Sequence, residues 1–300
     1  MNGYVVLGSA IVGLLVGMTG AGGGALMTPM LVLLFSVKPS AAISSDLVAA
    51  VAMRPFGAAV HLKQGTDNKR MVGYMAVGSV PSAFLGSYLL HLMDHTKAAT
   101  ANVERALGAA LLLGAAAMAA RYVIDRRSAN PRTGALETVP VRPLPTVGIG
   151  VVGGLVVGLT SVGSGSLVIV MLMTAYPSLS AKRLVGTDLA QAIPLTGAAA
   201  LGALTFGHVQ FPLTGAVILG SVPAVLVGSL LSSRTTDRWL RPAIFCVILA
   251  SGLKYAGVGN TYLAIAVAVA LLAVLGDAGV TTWRGHRRDA VKVGYKPVTS

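Results

Sequence analysis

The chain has 300 residues, of which 54% are apolar and only 11% charged, with a mean hydropathy of +0.76. A soluble domain has about a quarter of its residues charged, so this composition excludes one, and disordered and collagenous chains with it. The single Cys246 excludes a disulfide scaffold, and the net charge of +13 does not point to nucleic acid, because the Lys and Arg lie in short polar gaps rather than in a basic stripe interleaved with aromatics.

The apolar stretches give an integral membrane protein of the all-α, polytopic class. In chain order they run Gly3 to Gly20, Ala25 to Val37, Ser40 to Leu62, Val72 to Met93 and Val103 to Ile124. Met1 to Val5 lacks a basic n-region, so the first stretch is expected to belong to the mature protein rather than to a signal peptide. A polar linker over 125–146 follows, with Arg126, Arg127, Arg132 and Arg142 set among Pro131, Pro140 and Pro143. The second half reads Val147 to Val162, Ser166 to Tyr176, Leu184 to Phe206, Pro212 to Leu231 and Trp239 to Gly257. One extra C-terminal transmembrane helix is expected within 258–283, at Asn260 to Trp283, and a basic tail occupies 284–300. Crossing about 30 Å takes about 20 helical residues. Ala25 to Val37 and Ser166 to Tyr176 are too short for this and each follows a glycine-rich break, so they read as half-helices paired with the segment before.

Charge tests that pairing. If each broken pair returns to its starting side and the N-terminus is outside, 18 of the 23 Lys and Arg fall inside, 4 outside, and Arg54 within a span. This is the distribution that the positive-inside rule demands; it places the N-terminus on the outer, periplasmic side and the C-terminus in the cytoplasm.

The sequence also repeats itself. Gly17-Met-Thr-Gly-Ala-Gly-Gly-Gly24 corresponds to Gly158-Leu-Thr-Ser-Val-Gly-Ser-Gly165, Ser45-Asp46-Leu47 to Thr187-Asp188-Leu189, and Gly78–Leu89 to Gly220–Leu231 with 7 identities in 12. The offset is 141 or 142 residues throughout, which is duplication. An odd number of segments per copy makes these two inverted five-segment repeats, transmembrane repeat 1 over 3–124 and repeat 2 over 147–257. Secondary transporters share that plan and place their substrate site at the midplane, between broken helices.

The breaks carry the candidate chemistry. Backbone N–H groups at Gly22, Gly23 and Gly24, and at Gly163, Ser164 and Gly165, open a short helix and attract anions, unless the glycines serve only to pack helices closely. Thr19, Thr160, Ser164 and Ser166 add hydroxyl donors. Arg54 stands near the centre of its span, where a charge costs about 2.5 kcal/mol or more and so contacts an anion or pairs with Asp188. Asp46 and Asp188 match between the repeats; they are either N-terminal helix caps near the surface or proton-coupling carboxylates. Gln191, one turn beyond Asp188, is placed to line the same cavity. The five histidines are scattered near span ends with no ligand spacing, so no metal and no cofactor is expected. Walker A, HExxH, GxSxG and CxxC patterns are absent from the sequence, which argues against ATP-driven pumping and against an enzyme.

The run Gly17-Met-Thr-Gly-Ala-Gly-Gly-Gly-Ala-Leu-Met-Thr-Pro29, the Asp element after it, the Gly65 gap and the degenerate second copy resemble the TauE/SafE sulfite exporter family, also called the 4-toluene sulfonate uptake permease family. The resemblance covers about Gly3 to Gly257. It implies an inner-membrane permease that moves sulfite, a sulfonate or a related small organic anion, with proton-coupled export as the working expectation. A passive anion channel, an uptake permease for another small anion and a non-transporting membrane scaffold remain as alternatives. The partners implied are the small anionic substrate and the lipid bilayer, with a homodimer as an assembly open to the chain and no nucleic acid.

Overall fold

The computed structural model describes residues 3–19, 23–63, 68–95, 99–127, 139–163, 165–231, 240–259 and 268. Gly22, Ser164, the Gly65 gap and almost all of the expected last span and tail lie outside the described residues. Among the described residues ten helices follow one another, α1 Gly3–Thr19, α2 Gly24–Phe35, α3 Pro39–Lys63, α4 Lys69–Asp94 and α5 Ala99–Arg127, then α6 Pro143–Thr160, α7 Leu167–Ala175, α8 Ala181–Phe206, α9 Phe211–Leu231 and α10 Leu240–Tyr255. Among the described residues, five are long and apolar enough to cross a membrane, namely α4 and α9 and most or all of α5, α6 and α8.

Two boundaries differ from the sequence reading. Helix α5 continues to Arg127, and α6 begins at Pro143 with Arg142 as its N-cap, so both ends of the linker expected over 125–146 are helical. Of the linker prolines, Pro143 opens the first turn of α6, where a fixed φ and a missing N–H cost nothing, while Pro140 stays outside the helix. The two short elements are 12 residues in α2 and 9 in α7, about half the length of a spanning helix.

The bundle is apolar outside and buries charged and polar residues within an apolar core. Leu144 is 87% exposed, and Leu7, Leu201, Leu219 and Leu230 also face outward, whereas Asp46, Thr187, Asp188 and Gln191 are fully buried. That distribution suits a hydrocarbon solvent and not water.

Helix packing follows the duplication. Helix α1 lies on α9 as α6 lies on α4, α2 on α3 as α7 on α8, and α3 on α9 as α8 on α4, while α3 meets α8 and α5 meets α10. Matched glycines make the tightest seams. A Cβ on Gly13 would meet the Ser221 backbone, and one on Gly154 the Ser79 backbone; Gly17 lies against Val225 and Gly158 against Ala83 in the same way. Each of these four glycines allows a backbone approach that any side chain would block, the small-residue mode of packing in membranes. Gly158→Leu is therefore expected to remove most of the monodisperse protein recovered from membranes. Gly148→Leu, on the same helix but with nothing within 4 Å, should leave recovery at the parent level; fluorescence-detected size-exclusion chromatography measures both.

Candidate substrate site at the two helix breaks

The breaks meet. Helix α6 ends at Ser161, which adopts a left-handed conformation (φ 60°) and returns its N–H to Val157 O at 2.7 Å. The first residue of α2, Gly24, rests on the Ser161 backbone so closely that a Cβ there would fall on its carbonyl oxygen. Gly163 (φ +119°) and Gly165 (φ +97°) then turn the chain into α7 through backbone angles that side chains rarely permit.

Asp46 closes this junction. It lies seven residues into α3, is fully buried, and its Oδ2 accepts from Thr28 Oγ1 of α2 at 2.9 Å and from Ser161 Oγ at 2.8 Å. One carboxylate thus ties the first break to the second. Asp188 lies seven residues into α8, is 1% exposed and accepts a backbone hydrogen bond from Gly165. Neither aspartate is a helix cap, because α3 starts at Pro39 and α8 is capped by Ser180, whose Oγ accepts from the Arg183 N–H at 3.4 Å. The surface-cap reading is corrected on that ground.

Half-buried Arg54 acts electrostatically on both carboxylates, more strongly on Asp188. Arg121 of α5 adds a second positive charge on Asp188. Two aspartates and two arginines therefore share the interior of a bundle otherwise made of apolar helices. Asp46 Oδ1, Asp188 Oδ1 and both amide atoms of Gln191 are buried there without a protein hydrogen-bond partner among the described residues. Buried polar atoms are nearly always satisfied, so this group of four marks a place for polar company.

The remaining candidates are placed less suggestively. Thr19 Oγ1 donates to Leu15 O and Thr160 Oγ1 to Val156 O, both at 2.7 Å, so each hydroxyl proton goes to its own helix. The Gly23 carbonyl accepts from Leu26 N–H and Met27 N–H, and the Ser166 carbonyl from Val170 N–H, in the first turns of α2 and α7. Thr28, Ser161 and Arg121 belong to the site and were not singled out from the sequence. The signal for Arg121 was its position three residues before the end of an apolar stretch, where counting it to the polar face hid it.

The histidines also differ from expectation. His91, His95 and His208 gather instead of scattering, with ring centroids 4.4 Å apart for His91 and His95 and 6.3 Å for His95 and His208. His208 Nε2 is 3.3 Å from Asp94 Oδ2. Helix ends far apart in sequence supply them, which spacing cannot reveal. Among the described residues no group is arranged to hold a metal ion.

A bundle that turns apolar faces outward and encloses charge at two helix breaks is that of a multi-pass membrane protein, and its family and relatives make it a membrane transporter. The family model for the sulfite exporter TauE/SafE matches residues 5–255, and the chain belongs to that family. It is 40% identical over 255 residues to "Probable membrane transporter protein YjnA" of Bacillus subtilis (strain 168), a match covering 85% of this chain and 99% of the relative. It is also 27% identical over 257 residues to "Probable membrane transporter protein YdhB" of the same strain, covering 83% and 98%. No solved structure matches the chain.

Proposed function

We propose that the protein is a secondary active transporter that exports sulfite, a sulfonate or a related small organic anion across the cytoplasmic membrane, coupled to the proton gradient. The observation that carries this reading is the pair of buried carboxylates at the helix breaks, Asp46 beside Arg54 and Asp188 beside Arg54, Arg121 and the Gly165 N–H. A site rich in guanidinium and backbone N–H groups suits a small oxyanion, which accepts several hydrogen bonds at once. Asp188 already uses the Gly165 amide, so an incoming anion competes with its carboxylate for positive partners. Protonating Asp188 or Asp46 removes that competition, so proton and anion are bound and carried together, outward where the anion's own gradient exceeds the inward proton gradient. The two five-helix sets facing opposite ways across the bilayer, with Gly23, Gly24, Gly163, Gly165 and Gln191 around the anion, complete the reading.

The test is flux of radiolabelled sulfite and methanesulfonate into proteoliposomes under imposed pH and sodium gradients. Flux that follows the pH gradient is expected, and Asp46→Asn and Asp188→Asn should each retain substrate binding while losing accumulation driven by pH. Flux indifferent to both gradients would favour the passive channel, and failure to bind any anion the scaffold.

A further inference from the structure

A matched pair of hydrogen bonds holds the residues immediately before Asp46 and Asp188. The N–H of Asn68, the N-cap of α4, donates to Thr187 Oγ1 of α8 at 3.1 Å. The N–H of Gln210, the residue before α9, donates to Ser45 Oγ of α3 at the same 3.1 Å. Asn68 and Gln210 are 142 residues apart, and so are Ser45 and Thr187, so each bond is the repeat-exchanged copy of the other. Both donors are amides at a helix start, which lack an intrahelical partner and need an outside acceptor. Both acceptors immediately precede the buried aspartates of the site, and both are fully buried.

One of these bonds borders open space. A cavity of about 530 Å³ lies between the α2–α3 turn, the end of α4, the start of α5 and the α8–α9 turn, and Lys38, Asp94, His208 and Gln210 are among its lining residues. Gln210 lines the cavity, whereas Ser45, which the Gln210 N–H reaches, and Asp46 do not. Lys38 and the Asp94 loop fall on the face that charge counting assigns to the outside. The Asn68 bond joins the α3–α4 connection to α8, on the face assigned to the inside.

We propose that Ser45 and Thr187 are positioning residues that hold the two gates of the transport path, the Gln210–Ser45 bond closing the route from the cavity and the Asn68–Thr187 bond closing the opposite route. The proposal rests on the transporter reading above and adds the residues that alternate. With one bond broken and the other made, the aspartate behind the broken bond faces its side of the membrane. Losing the Ser45 hydroxyl weakens the gate beneath the cavity and favours the state open to it. Losing the Thr187 hydroxyl weakens the other gate and draws the protein away from that state.

Ser44 supplies a reporter. The residue before Ser45, it is fully buried, its Oγ has no protein partner among the described residues, and Gly207 of the α8–α9 connection packs on it. A Ser44→Cys variant in a Cys246→Ala background carries one thiol of nearly the native size. Its rate of reaction with a membrane-impermeant thiol reagent is measured in right-side-out and in inverted membrane vesicles, beside methanesulfonate flux.

Labelling is expected from one vesicle orientation only. Ser45→Ala should raise the rate about fivefold, the effect of one net hydrogen bond on a two-state balance, and Thr187→Val should lower it by a similar factor. Ser45→Thr and Thr187→Ser, which keep the hydroxyl, should return the parent rate. Should Ser45→Ala accumulate poorly, Gln210→Pro removes the donor of the same bond and must raise the rate as well. A Thr187→Val variant that raises the rate or leaves it unchanged overturns the proposal, because a merely structural role predicts no opposition between the two variants. Opposed labelling without methanesulfonate flux would retain the gates and defeat the transport reading; flux without opposed labelling would do the reverse.

Discussion

Arg54→Gln is expected to give a protein recovered in small amount and melting well below the parent, with most of the loss restored by adding Asp188→Asn. Arg54 is flanked by two buried carboxylates, and Asp188 is the stronger partner. Removing one member of a buried ionic group leaves uncompensated charge in a medium that solvates it poorly, which costs about 3–5 kcal/mol. Arg121 continues to offset Asp188, so the loss falls toward the lower end of that range. Neutralising Asp188 in the same chain removes the charge that Arg54 had balanced. Thermal unfolding in detergent reads the rescue, and the flux assay reads the rest. A double variant that regains stability but not flux assigns Arg54 a contact with the anion in addition to its partnership with Asp188. A single variant as stable as the parent would show that neither carboxylate depends on it.

The helices and their breaks were legible because a membrane chain states its spans by composition. No span was missed among the described residues, and the ends of α2 and α7 fell within one or two residues of expectation. The duplication was legible for the same reason that it matters physically. Gly17 and Gly158 match because each must admit a partner backbone, and the Asp46 and Asp188 elements match because each sits at the same depth of an equivalent helix. The linker prolines misled because Pro143 and Pro145 suit a first helical turn as well as a loop.

The partners of the charged residues could not be read, since they depend on which helices touch. Ser161 bonds to Asp46 across 115 positions, and Arg121 reaches Asp188 from α5, a helix of the other repeat. The position matching Ser161 in the first copy is Gly20, so repeat symmetry gave no hint of its hydroxyl. Asp46 looked like a cap because Ser45 precedes it, whereas that serine serves Gln210 from another element. Duplication thus announces equivalent backbones, while function rests on side chains that the two copies no longer share.

That asymmetry makes Gly24 the position where a single added methyl group should do most harm. Gly24→Ala would drive its Cβ onto the Ser161 carbonyl, with the Ser161 carbonyl carbon 2.5 Å away and Oγ 2.7 Å away. Ser161 cannot retreat cheaply, since its left-handed backbone caps α6 and its hydroxyl donates to Asp46 at 2.8 Å. Overpacking costs about 1–3 kcal/mol, and a lost hydrogen bond to a charged group about 1.5–3 kcal/mol. Gly24→Ala is therefore expected to lower Tm by several degrees and to abolish methanesulfonate binding measured by calorimetry. Gly23→Ala is the control one residue earlier: its Cβ meets only Met53 Cε at 3.5 Å, and φ at −61° suits any residue. It should melt with the parent, and a loss of binding confined to it would mean that the α2 amides, and not the contact between the two breaks, hold the anion. Ser161→Ala separates the remaining pair of causes, because it keeps the close approach and removes only the bond to Asp46. If it binds methanesulfonate as the parent does while Gly24→Ala does not, what the anion requires is the spacing of the two breaks, and the Asp46 bond only stiffens it.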